Sequence, residues 1–378
     1  MGCQASGTSP KRRSRRTNLS LGHHEMRVLL VGNAGERYFG DRFYIVERKL
    51  ANGFTRNGHL VHFFSDRDVA RNGTLFRSSR AGRGVADARF LEVVRKFRPE
   101  LIVITHSSLI STSNLGESGR LAYRPRLAQV CVDPLFRAVN VDFLKDRARV
   151  VDATFVTTAG AALTQFASAT NVSSYIPNPI DASVETARGF ERGDQAFDAF
   201  FAANAAGDRP DDWRRTAPRL IAETGTVSID YHGFDGHPPL FGAEYIGRLE
   251  NSRMGLNINS DRAESANTRA PADQLYLYNS DRISHLMGSG LLTLSFRVNQ
   301  LMELFEEDRE MAFAENPEEM RDVALRFKRD DVRRRQIAEA GWRKSHAHLN
   351  ERLVARYIEE VTFRRPLSQG YIWPTALW

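Results

Sequence analysis

Apolar positions along this chain follow two rhythms that take turns. Short apolar runs at 27–32, 60–64, 101–105, 128–132, 153–157 and 173–176 have the length and polar boundaries of buried strands. Between them the spacing turns helical. Phe43, Val46, Leu50 and Phe54 fall on one face until Asn57-Gly58, and Phe90, Val93, Val94 and Phe97 on another until Pro99. This alternation predicts a parallel sheet with helices on both faces.

Pro177-Asn178-Pro179-Ile180-Asp181 interrupts the pattern, and its two prolines predict an interdomain hinge. Beyond it, 190–212 reads as a helix and an exposed loop. Strands are then expected at 227–230, 255–259, 291–296 and 311–314. Asn279 and Ser280 cap a short helix that buries Ile283, Leu286 and Met287, with Gly288 and Gly290 able to end it. A helix over 298–305 would point Leu301, Leu304 and Phe305 inward. Asn316-Pro317 starts another, with the stripe Met320, Val323, Ala324 and Phe327. In the following helix Arg333, Arg334 and Arg335 read as a solvated face.

A length of 378 residues exceeds what one core usually holds, so two domains are expected. The predicted division is a disordered basic tail over 1–25, a first lobe over 26–178 and a second over 179–350. A C-terminal helix and tail over 351–378 would pack back on the first lobe.

Net charge is +7, but the tail holds five basic residues and one acidic; without it 48 basic face 45 acidic residues, a net of +3. That balance predicts no nucleic-acid partner. Met1-Gly2-Cys3-Gln4-Ala5-Ser6 fits an N-myristoylation pattern, which would allow peripheral contact with the inner membrane; the plainer reading is a dispensable tail. No apolar segment follows the basic cluster, so no signal peptide is expected, and two cysteines suit a reducing, cytoplasmic compartment.

Ligands of open α/β sheets sit beyond the carboxyl ends of the strands. In the first lobe this selects the loop with Gly35 and Gly40, Ser65-Asp66, His106 and Asp133. In the second it selects His232-Gly233, Asn259 and the loop before Arg282. The glycines after the first strand do not form G-x-G-x-x-G, and no Walker A lysine motif is present, which argues against a dehydrogenase and a P-loop nucleotidase. His346 and His348 point apart on a helix, so no metal site is read.

Arg282, Gly290, Glu303-Leu304-Phe305 and Asn316-Pro317-Glu318-Glu319 follow one another in an order that resembles the nucleotide-sugar half of GT-B glycosyltransferases, specifically the CgeB-like, group 1 type. Tyr175-Ile176-Pro177-Asn178-Pro179-Ile180-Asp181 resembles the end of their first lobe. His285 stands where that family usually has glutamate.

The resemblance implies an α/β fold of two Rossmann-like lobes facing across a cleft, with the acceptor on the first lobe and the donor on the second. It implies a metal-independent glycosyltransferase with no cofactor, the nucleotide sugar being its donor substrate. The acceptor it implies is a hydroxyl of a bacterial surface glycan or a lipid-linked precursor. Arg282, with the amides at its helix start, would meet the leaving diphosphate. Glu303 would hold a ribose or sugar hydroxyl, and Gly35, Gly40, Gly233, Asn279, His285 and Gly290 would shape the donor site. In an inverting enzyme His106 is the expected base, since a histidine of near-neutral pKa suits that task, with Asp133 as the competing base. In a retaining enzyme His106 would contact the sugar, and a histidine packed under the loop 107–114 is the structural alternative. A non-catalytic glycan- or nucleotide-binding protein and a nucleotide-sugar epimerase are the rival readings.

Overall fold

A computed structural model describes residues 26–203, 212–259 and 276–378. The first lobe is built on β1 (Arg27–Gly32), β2 (Leu60–Ser65), β3 (Leu101–Ile104), β4 (Arg126–Cys131), β5 (Ala153–Val156) and β6 (Val172–Tyr175). They form one parallel sheet in the order β2-β1-β3-β4-β5-β6. Period-two alternation divides its core. Val28, Leu30, Leu101 and Val103 face one apolar layer with Leu50 and Phe54, whereas Leu29, Val31, Ile102 and Ile104 face another with Phe90, Leu91 and Val94.

The second lobe carries β7 (Phe197–Ala202), β8 (Ile229–His232), β9 (Ser252–Asn257), β10 (Leu292–Phe296) and β11 (Ala312–Ala314). These too are parallel, in the order β11-β10-β9-β7-β8. Counted from its own first strand, this sheet repeats the 2-1-3-4-5 order of the first lobe. Each lobe therefore has a topological switch point, between β1 and β3 and between β7 and β9, where the chain leaves the sheet in opposite directions and a crevice forms.

Three sequence expectations fail here. The stretch expected as helix and loop contains β7, an interior strand of its sheet between β9 and β8. Its run Phe197-Asp198-Ala199-Phe200-Phe201 is buried on both faces, and Asp198 at its start is satisfied by Lys328 Nζ at 2.7 Å. The helix expected over 298–305 is instead two short 3-10 turns, Arg297–Asn299 and Leu301–Glu303, because Gln300 between them adopts a left-handed φ of 54°. Arg334 is not on a solvated face: it is 1% exposed, donating to Asp331 and to the Arg253 carbonyl.

The helix Glu351–Thr362 lies on the helix Val46–Arg56 of the first lobe. Arg56 pairs with Glu351 at 2.5 Å and with Asp181 at 2.6 Å, while Trp378 exchanges backbone hydrogen bonds with Ser173 on β6. Among the described residues no helix is long and apolar enough to cross a membrane. The lipid-anchor reading falls on residues 1–25, outside the described residues.

Candidate active site

At the first switch point Thr105 and His106 directly follow β3. His106 Nδ1 lies 2.9 Å from Oε1 of Glu47, a carboxylate on the helix Val46–Arg56, and its Nε2 lies 3.7 Å from Asp133 just beyond β4. Burial opposes the imidazolium, but the fields of Glu47, Asp133 and the more distant Asp281 outweigh it and raise the His106 pKa to about 9. Burial likewise opposes the Glu47 carboxylate, and the charged His106 and the Thr105 hydroxyl reverse that, so its pKa is lowered. The two form an ion pair at neutral pH. This corrects the expectation of His106 as a base, because a protonated imidazole has no lone pair with which to take a proton. Asp133, whose side chain is 37% exposed, is the acceptor of that pair open to solvent.

At the second switch point Arg282 closes the gap between strands. Its Nε donates to the carbonyl of Ala202 at the end of β7 at 3.2 Å, and its Nη1 to that of Ile258 just past β9 at 3.0 Å. The guanidinium carbon lies 5.2 Å from the centroid of the Phe201 ring. Arg282 is half-buried and has no carboxylate partner among the described residues. Gly233, in the turn after β8, has a φ of 93°, and a Cβ there would sit 1.8 Å from the carbonyl oxygen of Ala203. Only glycine lets the two strand ends approach so closely.

The segment 276–280 joins these two points. The amide of Ala159 donates to the carbonyl of Tyr276, that of Asn279 donates to Thr157, and the Tyr278 hydroxyl donates to the Val132 carbonyl at 3.3 Å. A second-lobe segment thus lies along the carboxyl ends of β4 and β5 and delivers Asp281 and Arg282 into the cleft. Glu303, exposed at the rim, accepts from the Tyr276 hydroxyl at 2.5 Å. Gly35 and Gly40, both with positive φ, shape the loop after β1. That loop reaches across to the second lobe, where the Tyr44 ring is 5.2 Å from that of Tyr245.

Three expected donor-site residues lie elsewhere. His285 is 3% exposed in the core between the lobes, with Nδ1 2.7 Å from Glu185 Oε1. Glu185 also pairs with the buried Lys49, which donates to Ser284 Oγ at 3.1 Å and to the Pro179 carbonyl at 3.3 Å. Burial and Lys49 lower the His285 pKa, and Glu185 only partly opposes them, so the ring is neutral at pH 7. Asn279, 1% exposed, accepts from the Asn178 amide at 3.0 Å and thereby ties down the hinge. Gly290 lies against Gly189. His285 and Asn279 are buried where the two lobes meet, and Gly290 packs within the second lobe.

Sequence reasoning missed Glu47 and Lys49. A signal for Glu47 was present: it falls four residues after Phe43, three before Leu50 and seven before Phe54, which puts a carboxylate on the apolar face of its helix. No comparable signal marks Lys49 or Glu185, which meet only because the hinge folds back.

Residues 203–360 match the family model described as glycosyl transferase-like. Solved structures share the arrangement of both lobes. An alpha-glucosyltransferase bound to UDP and DNA aligns over 90% of this chain and 100% of its own, at 12% identity and a TM-score of 0.61. HepE of Anabaena, bound to UDP and glucose, aligns over 90% and 100% at 12% identity and a TM-score of 0.53. The chain has the GT-B fold of glycosyltransferases. Sucrose-phosphate synthase from Thermosynechococcus elongatus also aligns, over 90% and 99%, at 12% identity and a TM-score of 0.52. A comparison with curated proteins finds no match. One expectation is overturned here. An alpha-glucosyltransferase of this fold holds DNA beside its UDP or UDP-glucose, so the even charge balance does not exclude a nucleic-acid partner.

Proposed function

We propose that the chain transfers a sugar from a nucleoside-diphosphate donor, UDP-linked as in the structural neighbours, to a hydroxyl held by the first lobe. The observation that carries this is Arg282. It is a cation with no counter-carboxylate among the described residues, held at the switch point of the glycosyl transferase-like domain. The bond from the anomeric carbon to the diphosphate oxygen breaks, and a bond to the acceptor oxygen forms. The charge left on the diphosphate falls to Arg282 and the amides opening the helix Asp281–Gly288, without a metal or a cofactor. Glu303 accepts from a donor hydroxyl. The His106 imidazolium donates to a sugar hydroxyl, and Asp133 takes the acceptor's proton.

The resemblance to CgeB-like enzymes supports a glycan or glycan-precursor hydroxyl as acceptor. A nucleic-acid acceptor is the second reading, favoured by the DNA complexes of the alpha-glucosyltransferase. UDP release from UDP-glucose, measured with glycan, with DNA and with neither, tests the reading. Stimulation by an acceptor, unaffected by EDTA, is expected. Stimulation by neither would leave a binding protein, and loss with EDTA would overturn metal independence. Asp133→Asn is expected to lower the rate by about 10²-fold or more; near-normal activity would send the proton to the leaving diphosphate instead.

A further inference from the structure

A pocket of about 260 Å³ opens beside His106, walled by the carboxyl ends of β3 and β4 and by the helix Ala138–Ala148. Its lining includes Arg147, 1% exposed, which has no role in the transfer just described. Its Nη2 donates to the Ile110 carbonyl at 3.0 Å and its guanidinium carbon lies 4.0 Å from the centroid of the Phe143 ring, but Nε has no partner among the described residues. Asn140 Nδ2 on the same wall has none either. Buried donors without acceptors are costly and uncommon, and here two of them belong to residues that line one pocket.

The charges agree with the donors. Arg67, His106 and Arg147 line the pocket against a single carboxylate, Asp133. Asp66 and Asp146 stand outside the lining. Asp66 accepts from the Ser107 hydroxyl at 2.9 Å and the Leu109 amide at 3.0 Å, and Asp146 accepts from the Thr112 hydroxyl at 2.5 Å. Burial lowers the Arg147 pKa to about 10, which leaves it charged at neutral pH. The unpartnered Gln129 Oε1 supplies one acceptor for a hydroxyl. At the mouth Val139, 71% exposed, and Phe143 offer apolar surface on which a sugar ring can rest.

We infer that this pocket binds a small oxyanion, a carboxylate or a phosphate monoester, carried by the acceptor, so that the acceptor is an acidic saccharide. The inference rests on the first lobe being the acceptor side. Its volume of about 260 Å³ admits one such group with its ring, and a guanidinium suits either anion.

Calorimetric titration of the full chain, saturated with UDP, with glucuronic acid, glucose 6-phosphate and glucose tests it. At least one acidic ligand is expected to bind about tenfold tighter than glucose; glucuronic acid marks a carboxylate site and glucose 6-phosphate a phosphate site. Arg147→Gln should erase the preference. Because loss of a buried arginine threatens folding, Val139→Glu serves as the second variant. It sets a negative charge on the exposed rim and should weaken the acidic ligand but not glucose. Equal affinity for all three, or no effect of Val139→Glu on the acidic ligand, would overturn the inference. The preference is read as binding, so an inactive chain that still discriminates would sink the transferase reading and leave the pocket's assignment standing.

Discussion

His106 Nδ1 stands 2.9 Å from Oε1 of Glu47, and the pair occupies the point where the first sheet reverses its strand order. The position matters because an ion pair there presents a positive ring to the cleft while its counter-charge is hidden in the wall.

The pair has a pH signature. The His106 pKa is raised to about 9, above the unfolded value of about 6.5, so the stabilisation it gives is fully present below pH 6.5 and is lost as pH rises through 9. Transfer should fall as pH rises through about 9, where the folded ring loses its proton. Glu47→Gln removes the largest opposing charge and should return the ring towards its ordinary range. NMR titration of the His106 ring protons checks this; a midpoint unchanged in the variant would show that Glu47 does not set it.

The buried Lys49, Glu185 and His285 make a second test. Lys49→Met leaves the Glu185 carboxylate without its cation and should destabilise the chain by about 3–5 kcal/mol, with Glu185→Gln in the same chain restoring part of it. The Glu185 pKa is lowered: burial opposes the carboxylate, but Lys49 and His285 outweigh it. This contribution is therefore present above the unfolded glutamate pKa and lost as pH falls through the folded one. Denaturant melts of the single and double variants decide; additive losses would mean the pair is not coupled.

Gly233→Ala should cost about 1–3 kcal/mol, since its φ of 93° disfavours a side chain and the new Cβ would meet the Ala203 carbonyl. The ends of β7 and β8 would part, so donor affinity should fall with stability. Unfolding midpoints and UDP titration of the same preparation check both effects; unchanged midpoints would show that the turn relaxes freely.

How much of this was legible in the chain follows from how local each feature is. The first-lobe strands were plain, because Val28–Val31 and Leu101–Ile104 are unbroken apolar runs between polar stops. β7 was hidden by Asp198, a charge at the start of the strand whose partner Lys328 lies 130 residues away. Arg282 was legible at the start of its helix, yet its hold on the Ala202 and Ile258 carbonyls follows from the switch in strand order. His285 looked like a ligand-site residue for want of its long-range partner: Glu185 is 100 positions distant, and burial between the lobes has no local sign. The His106 charge state was misread for the same reason, since Glu47 lies two strands earlier.

The central claim is that Arg282 receives the donor's diphosphate. Calorimetric titration of UDP into the wild type and into Arg282→Ala, each checked for an intact fold, tests it most directly. A loss of affinity of about tenfold or more, with the complex still folded, is the expected result. Equal affinity in the two proteins would contradict it.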